Sequence, residues 1–246
     1  MFLKLAGKLN FFSNKNSVLL HTTDLHSHFI PAIDDGSKSL AESIAMLRQL
    51  ELLGFKKIIT TPHIMSHRFP NTRQTINAGY LLLKDELVKQ NINIELEVAA
   101  EYYYDEHFLE LIAKKELLTF GDNYVLFELS YYVKPFALEQ VVSKLLNAGY
   151  KPVLAHPERY RYYTSEAHYK VLKEMGLLFQ INAISTQNFY GKKVKQAVEK
   201  IIALDMVDFI GSDIHAQAYV DSFAKFMKSK LYAKIYEKNH IRNNYL

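Results

Sequence analysis

The chain has 246 residues, no cysteine and a formal net charge of +4 at pH 7. The missing thiols exclude a disulfide framework, a thiolate zinc site and a cysteine nucleophile, and they fit a reducing cytoplasm; the mild charge tolerates anionic substrates without marking a nucleic-acid binder. With 49% hydrophobic residues the length suits one large α/β domain, and no charge-free apolar run of about 18 residues offers a transmembrane segment.

The opening MFLKLAGKLNFF is apolar but broken by Lys4 and Lys8, without a long h-region or a small-residue cleavage site. Residues 1–17 read as a flexible basic arm, with contact to a membrane surface as the alternative, and 18–246 as a single domain. The first strand is SVLLHTTDLHSH (17–28). His26 and His28 stand two apart, so on a strand both point to one side. IDDGS follows. It is good turn chemistry, in which Asp34 reads as the turn residue and Asp35 as a free carboxylate. Asp24, just before the histidines, reads equally as a group orienting an imidazole or as a strand-end cap.

A helical pattern runs from Leu40 to Leu53, with Ser39 and Glu42 in capping-box spacing and Gly54 as its stop. Strand KKIITTPHI (56–64) brings His63, and a helix at about 74–90 follows. IELEVAAEYY (94–103) carries Glu101 and leads into a helix at 105–116. NYVLFELS (123–130) carries Glu128, then a helix at 136–148 ends at Gly149. KPVLAHPERY (151–160) brings His156 and Arg159 before a helix at 165–175. LLFQINAIS (177–185) ends in Asn182, and a helix at 192–205 leads to VDFIGSDIH (207–215), with Asp213 and His215. From Val220 the tail reads as one amphipathic helix, with Val220, Phe223, Phe226, Met227, Leu231 and Ile235 on one face. It is a closing helix, with a docking surface for an acidic partner as the sharper alternative.

Strand then helix, seven times, predicts a parallel sheet closed or nearly closed into a barrel. The downstream ends of such strands converge on one mouth. All but one of these strand ends carry His, Asp or Glu. A lone strand-end histidine is usually a satisfied core or loop residue, and a lone HxH arises by chance. Together, these imidazoles and several carboxylates aimed at one small volume would repel or stay undersolvated without cations between them, so the joint pattern predicts a polynuclear metal site. Tyr102 to Tyr104, Tyr131, Tyr132, Tyr160, Tyr162 and Tyr163 follow strand ends, where some would rim the mouth and stack on an aromatic substrate while others pack.

As a set, DLHSH, IDDG, TTPH, AAEYY, FELS, AHPERY and GSDIH resemble the PHP (polymerase and histidinol phosphatase) superfamily. IDDGSKSLAES and AHPERY are similar to its bacterial metal-dependent protein-tyrosine phosphatases, found with capsule and exopolysaccharide genes. The resemblance spans Thr23 to His215. It implies a distorted seven-stranded (β/α)7 TIM-like barrel with three divalent metal ions, usually manganese, with iron or zinc also suited to oxygen and nitrogen ligands. By position, it implies one metal on His26, His28, Glu101 and Asp213, a second on Glu101, Glu128 and His156, and a third on Asp35, His63 and His215. Four carboxylates against three divalent ions would leave +2, a site receptive to hydroxide and phosphate.

The resemblance further implies hydrolysis of a phosphotyrosine protein, namely a membrane-associated tyrosine autokinase, by a hydroxide bridging two metals, with Glu101, Asp35 and Arg159 as the catalytic residues and Arg159 gripping a phosphate oxygen. Related readings are a small-molecule phosphatase such as one for histidinol phosphate, a nuclease, which would need a basic stacked groove not seen here, and a metal-binding module without turnover. One departure stands out. The family's second arginine, a few residues after the last SDxH, is missing from SDIHAQAYVDSF; Arg161, Arg68 and Lys225 are the candidate substitutes. Oligomeric state is not assigned.

Overall fold

Local signals set the element order, and the computed structural model, which describes residues 20–246, shows it as parallel sheets backed by helices. The arm expected at 1–17 lies outside the described residues. The elements are β1 (Thr23–Asp24), α1 (Leu40–Leu53), β2 (Lys57–Thr60), β3 (His63–Ile64), α2 (Arg73–Lys89), β4 (Glu95–Val98), β5 (Glu101–Tyr103), α3 (Glu106–Lys114), β6 (Tyr124–Glu128), α4 (Leu138–Asn147), β7 (Lys151–Ala155), α5 (Glu166–Glu174), β8 (Leu178–Asn182), α6 (Lys192–Ala203), β9 (Phe209–Gly211), α7 (Gln217–Met227) and α8 (Lys230–Lys238). Short 3-10 helices follow β7 and β8, and another lies at Asn243–Tyr245.

The helices sit where periodicity and caps put them. At the start of α1 the Ser39 hydroxyl accepts from Glu42 N, and Gly54 ends the helix in the left-handed region at φ 101°. The tail differs from the sequence reading: it is two helices. Ser229 accepts from Tyr232 N and caps α8, so a side chain satisfies the donor that the break after α7 exposes. The apolar face survives the break, with Val220, Phe223, Phe226, Met227 and Ile235 buried and Leu231 packed beside them.

Seven strands were expected, and the described residues form nine. The run 57–64 divides at Pro62, which has no N–H to give a ladder, and the run 94–103 divides at Ala99–Ala100. All pairings are parallel, in one sheet ordered β1-β2-β4 and another ordered β3-β5-β6-β7-β8-β9. Bonds from Ala99 N to Thr60 O (3.0 Å) and Glu101 N to Pro62 O (3.1 Å) span the interruptions. Ser27 bridges Ile214, linking the chain beyond β1 to the chain beyond β9.

β1 is far shorter than the predicted strand. Ser27 N and Phe29 N donate to the hydroxyls of Thr61 and Thr60 rather than to carbonyls, so the ladder stops. The segment is still held on both sides, by His28 N to Ile214 O (2.9 Å) and Thr61 N to Ser27 O (2.7 Å). Successive strand residues fall into alternate apolar clusters: Val125 and Phe127 join the larger one under the helices, while Leu126 joins the smaller one with Ile59, Ala99 and Val153. The same two-residue period carries Ala99 on to Glu101 and Leu126 on to Glu128.

Candidate metal centre

β5 delivers Glu101 in register with His63 on β3, and β6 delivers Glu128 one strand further on. His26 and His28 arrive on the segment clamped between β2 and the chain after β9. His156 and Asp213 lie just past β7 and β9, both in the left-handed backbone region, at φ 34° and 54°. Non-glycine residues rarely adopt it, and such strain collects where side-chain placement matters to function.

All ten predicted residues meet here, around the head of a cavity of about 710 Å³. Glu101 is central: its Oε2 lies 3.2 Å from His26 Nε2, 3.4 Å from His28 Nε2 and 3.2 Å from His63 Nδ1, and its Oε1 lies 3.0 Å from His156 Nε2. Asp213 Oδ1 stands 3.4 Å from His26 Nε2 and 3.5 Å from His28 Nε2. His63 also reaches Glu128 Oε1 (3.3 Å) with Nδ1 and Asp35 Oδ1 (3.5 Å) with Nε2. His215 Nε2 approaches that same Asp35 oxygen at 3.5 Å. Three groups of ligand-type atoms cluster tightly: His26, His28 and Glu101; His63, Glu101 and Glu128; and His28, His63 and His215.

These side chains fit cations better than one another. His63 Nδ1 and Glu101 Oε2 are sealed from solvent, and neither makes a hydrogen bond; Asp35 Oδ1 and His156 Nδ1 are in the same position. Buried polar atoms without partners are rare in native proteins and usually mark an ion or water. The nitrogen and oxygen donors, without sulfur, suit manganese, iron or zinc.

The surroundings fix the imidazoles. His26 Nδ1 bonds Gln180 Oε1 (2.7 Å), Gln180 Nε2 donates to Asn182 Oδ1 (2.9 Å), and Asn182 Nδ2 donates to Asp213 Oδ2 (2.5 Å). His28 Nδ1 bonds Asp34 Oδ2 (2.8 Å), and His215 Nδ1 bonds the Asp213 carbonyl oxygen (2.9 Å). Each leaves Nε2 turned toward the cluster, as metal-binding histidines require. The sequence reading of Asp34 as a turn residue is therefore incomplete: it also receives Gly36 N and His63 N. Gly36 is needed there, since a Cβ would stand 2.3 Å from the His28 carbonyl oxygen. Asp24 is a strand tie: it accepts from Ser212 N and Oγ and touches no imidazole ring nitrogen among the described contacts. Gln180, Asn182 and Tyr190 were missed. The signal for the first two was an i, i+2 amide pair inside an apolar strand.

Arg159 donates from Nη1 to Asp213 Oδ2 at 3.1 Å and lies between the rings of Tyr131 (4.5 Å) and Tyr190 (4.2 Å). Tyr103, Tyr131 and Tyr132 line the cavity, whereas Tyr102 and Tyr160 are core residues.

Burial would lower the His63 pKa, but the carboxylates of Glu101 and Glu128 outweigh it and lift it to about 9. His26 and His28 move upward against burial in the same way, through Glu101 and Asp213 for the first and Asp34 for the second. Burial would raise Glu101 and Asp213, yet the facing histidines hold both well below the usual carboxylate range. The raised histidines stabilise the metal-free fold fully below pH ~6.5, and that contribution is lost as pH climbs through about 9. The depressed carboxylates contribute above pH ~4 and lose their effect only in acid. The metal-free protein is thus expected to lose about 5 °C of melting temperature between pH 6.5 and 9, as ~2 kcal/mol would produce at this length. Cation-loaded protein, whose histidines are neutral ligands, should hold its melting temperature over that span. Thermal melts in chelator and in manganese test this; identical pH profiles would refute it.

The chain matches the model of the capsular polysaccharide synthesis family CpsB/CapC over residues 22–243. It is 31% identical over 199 residues to the tyrosine-protein phosphatase CpsB of Streptococcus pneumoniae, covering 78% of this chain and 82% of that protein. It is 31% identical over 194 residues to the tyrosine-protein phosphatase YwqE of Bacillus subtilis, covering 78% and 76%. Among solved structures, one from the work on the metal-dependent tyrosine phosphatases YwqE and CpsB superposes with a TM-score of 0.77 at 27% identity, covering 88% of this chain and 90% of that one. By sequence and by fold, the chain belongs to the CpsB/CapC family of capsular polysaccharide synthesis proteins.

Proposed function

We propose that this protein is a metal-dependent protein-tyrosine phosphatase of capsule or exopolysaccharide synthesis. The observation that carries the reading is the pair His63 Nδ1 and Glu101 Oε2, 3.2 Å apart, buried and without hydrogen bonds, at the centre of ten converging side chains. Relatives named as tyrosine phosphatases support the substrate class. The seven strand runs and the Ser27–Ile214 bridge support a distorted (β/α)7 barrel, formed by one domain over residues 18–246.

His26, His28, Glu101 and Asp213 would hold one divalent cation, Glu101, Glu128 and His156 a second, and Asp35, His63 and His215 a third, with manganese the expected ion. His63 faces Glu101 and Glu128 with one nitrogen and Asp35 with the other, so it stands between the last two sets. When bound, the cations supply acidified water and positive charge against the phosphoryl oxygens. Arg159, fixed by Asp213 and two aromatic faces, offers its remaining N–H groups to a phosphoryl oxygen. The tyrosine-lined cavity has the volume of a small-molecule site, about 300–1,000 Å³, and can take an aryl group. No cysteine is present, so turnover would proceed without a phosphocysteine.

The substrate would be a phosphotyrosine protein, a membrane-associated tyrosine autokinase met on the cytoplasmic side. No helix among the described residues is long and apolar enough to cross a membrane. The test pairs elemental analysis with hydrolysis of a phosphotyrosine peptide and of histidinol phosphate. Chelation should abolish peptide hydrolysis, and manganese should restore it. Preference for histidinol phosphate would overturn the substrate class, and full metal occupancy with no turnover on either would overturn the enzyme reading.

A further inference from the structure

Two arginines line the cavity, and they are built into it alike. Arg159 Nη1 donates to Asp213 Oδ2 at 3.1 Å, while Asp213 Oδ1 faces His26, His28 and His215 at 3.4–3.5 Å. Arg68 Nη2 donates to Asp35 Oδ2 at 3.3 Å, while Asp35 Oδ1 faces His63 and His215, each at 3.5 Å. In both cases the guanidinium holds the outer oxygen of a carboxylate whose inner oxygen meets the histidine cluster. His215 touches both carboxylates, so the two units flank it. Each guanidinium also lies on an aromatic face. Arg68 rests 4.8 Å over Phe69, whose ring is nearly parallel to His63.

The two differ in freedom. The Arg159 side chain is 20% exposed and sandwiched, whereas that of Arg68 is 64% exposed. The backbone carrying Arg68 is nonetheless fixed. Met65 and Phe69 exchange two backbone hydrogen bonds of 2.9 Å, and Ser66 donates to Asp105 Oδ2 from N and Oγ at 3.0 and 2.8 Å. Arg68 is thus an exposed cation on a hydrogen-bonded shelf at the mouth. Its bond to Asp35 is long and solvent-facing, and such pairs contribute little. A phosphoryl dianion in the cavity would be a stronger acceptor for the same fork. The other candidate cations are less well placed: Arg161 lies on Tyr132 at 4.6 Å and Lys225 is exposed on α7, and neither lines the cavity.

We propose that Arg68 is a second phosphoryl-binding arginine, paired with Arg159 around His215, whose guanidinium moves from Asp35 onto the substrate's phosphoryl oxygens. The proposal rests on the phosphatase reading, but its test does not depend on turnover alone. Manganese-loaded wild-type protein, R68A, R68K and R161A are titrated with inorganic phosphate by calorimetry. Metal content is measured on each, and kcat and KM are determined on phenyl phosphate, which has no flanking residues.

R68A should weaken phosphate binding and raise KM together, by about 10- to 100-fold, the size of a lost charge-assisted hydrogen bond. Its kcat should stay within about threefold, its metal content should match wild type, and R68K should recover part of the affinity, as expected of charge without the fork. R161A should behave as wild type. Unchanged phosphate affinity in R68A would overturn the proposal. So would loss of metal with normal affinity in the sites still loaded, which would make Arg68 a brace for Asp35 only. A wild-type protein that binds phosphate but hydrolyses no phenyl phosphate or phosphopeptide would sink the phosphatase reading, while the affinity comparison still decides the role of Arg68.

Discussion

Glu101→Ala is expected to lose metal and turnover together, with kcat lower by at least ~1,000-fold, the rate equivalent of about 4 kcal/mol of metal-borne stabilisation. No other carboxylate in the cluster faces as many histidine rings. Its two oxygens lie within 3.4 Å of ring nitrogens on His26, His28, His63 and His156. Removing a fully buried carboxylate leaves these imidazoles facing a void and leaves the remaining anionic ligands too few to hold divalent ions. Loss of folding would mimic that result, so Glu101→Gln is the necessary companion. The amide keeps the volume and gives up the charge. It should fold, since the metal-free cluster retains Asp213, Asp34 and Glu128 against its histidines, and it should still bind less metal by elemental analysis. Normal metal content and normal turnover in either variant would remove the centre from the mechanism.

The convergence of these side chains was more legible in the sequence than the division of the sheets. Strand-end His, Asp and Glu are chemically conspicuous against apolar runs, and the period of two fixes their direction, so Glu101 and Glu128 followed directly. Strand continuity did not, because it depends on who accepts each N–H. Thr60 and Thr61 hydroxyls take bonds that carbonyls would otherwise receive, and Pro62 gives none, so single runs became broken ones. The two-helix tail turned on one serine cap at Ser229, a weak signal inside a continuous amphipathic pattern. Supporting residues were hidden for another reason. Asp34, Gln180 and Asn182 act through hydrogen bonds to residues 6, 154 and 31 positions away, and nothing local in a sequence names a distant partner. Arg68 was visible as one cation among several; its place in the cavity wall and its pairing with Asp35 separate it from Arg161.

Arg159→Ala should lower kcat/KM on a phosphotyrosine peptide by about 100- to 1,000-fold, or ~3–4 kcal/mol, with most of the loss in kcat. The residue sits three positions past His156 on a 3-10 turn, and Arg159 N donates to His156 O at 2.9 Å, so the ligand and the arginine are set by one piece of backbone. Its guanidinium is held in plane by the Tyr131 and Tyr190 rings, and Tyr190 itself donates to Asp213 Oδ2 at 3.1 Å. A lysine keeps the charge but neither the planar fork nor the sandwich, so Arg159→Lys should recover little. Tyr190→Phe keeps the ring and drops one bond to Asp213, and should cost about tenfold or less. A purely structural role for Arg159 would also reduce activity, through a displaced Asp213. Guanidinium ion added to Arg159→Ala separates the cases: it fills the slot between the two tyrosines and should restore part of kcat if the missing group acts on the phosphoryl oxygens. An Arg159→Ala enzyme with full metal content and wild-type kcat/KM would show that this guanidinium braces Asp213 and takes no part in holding substrate.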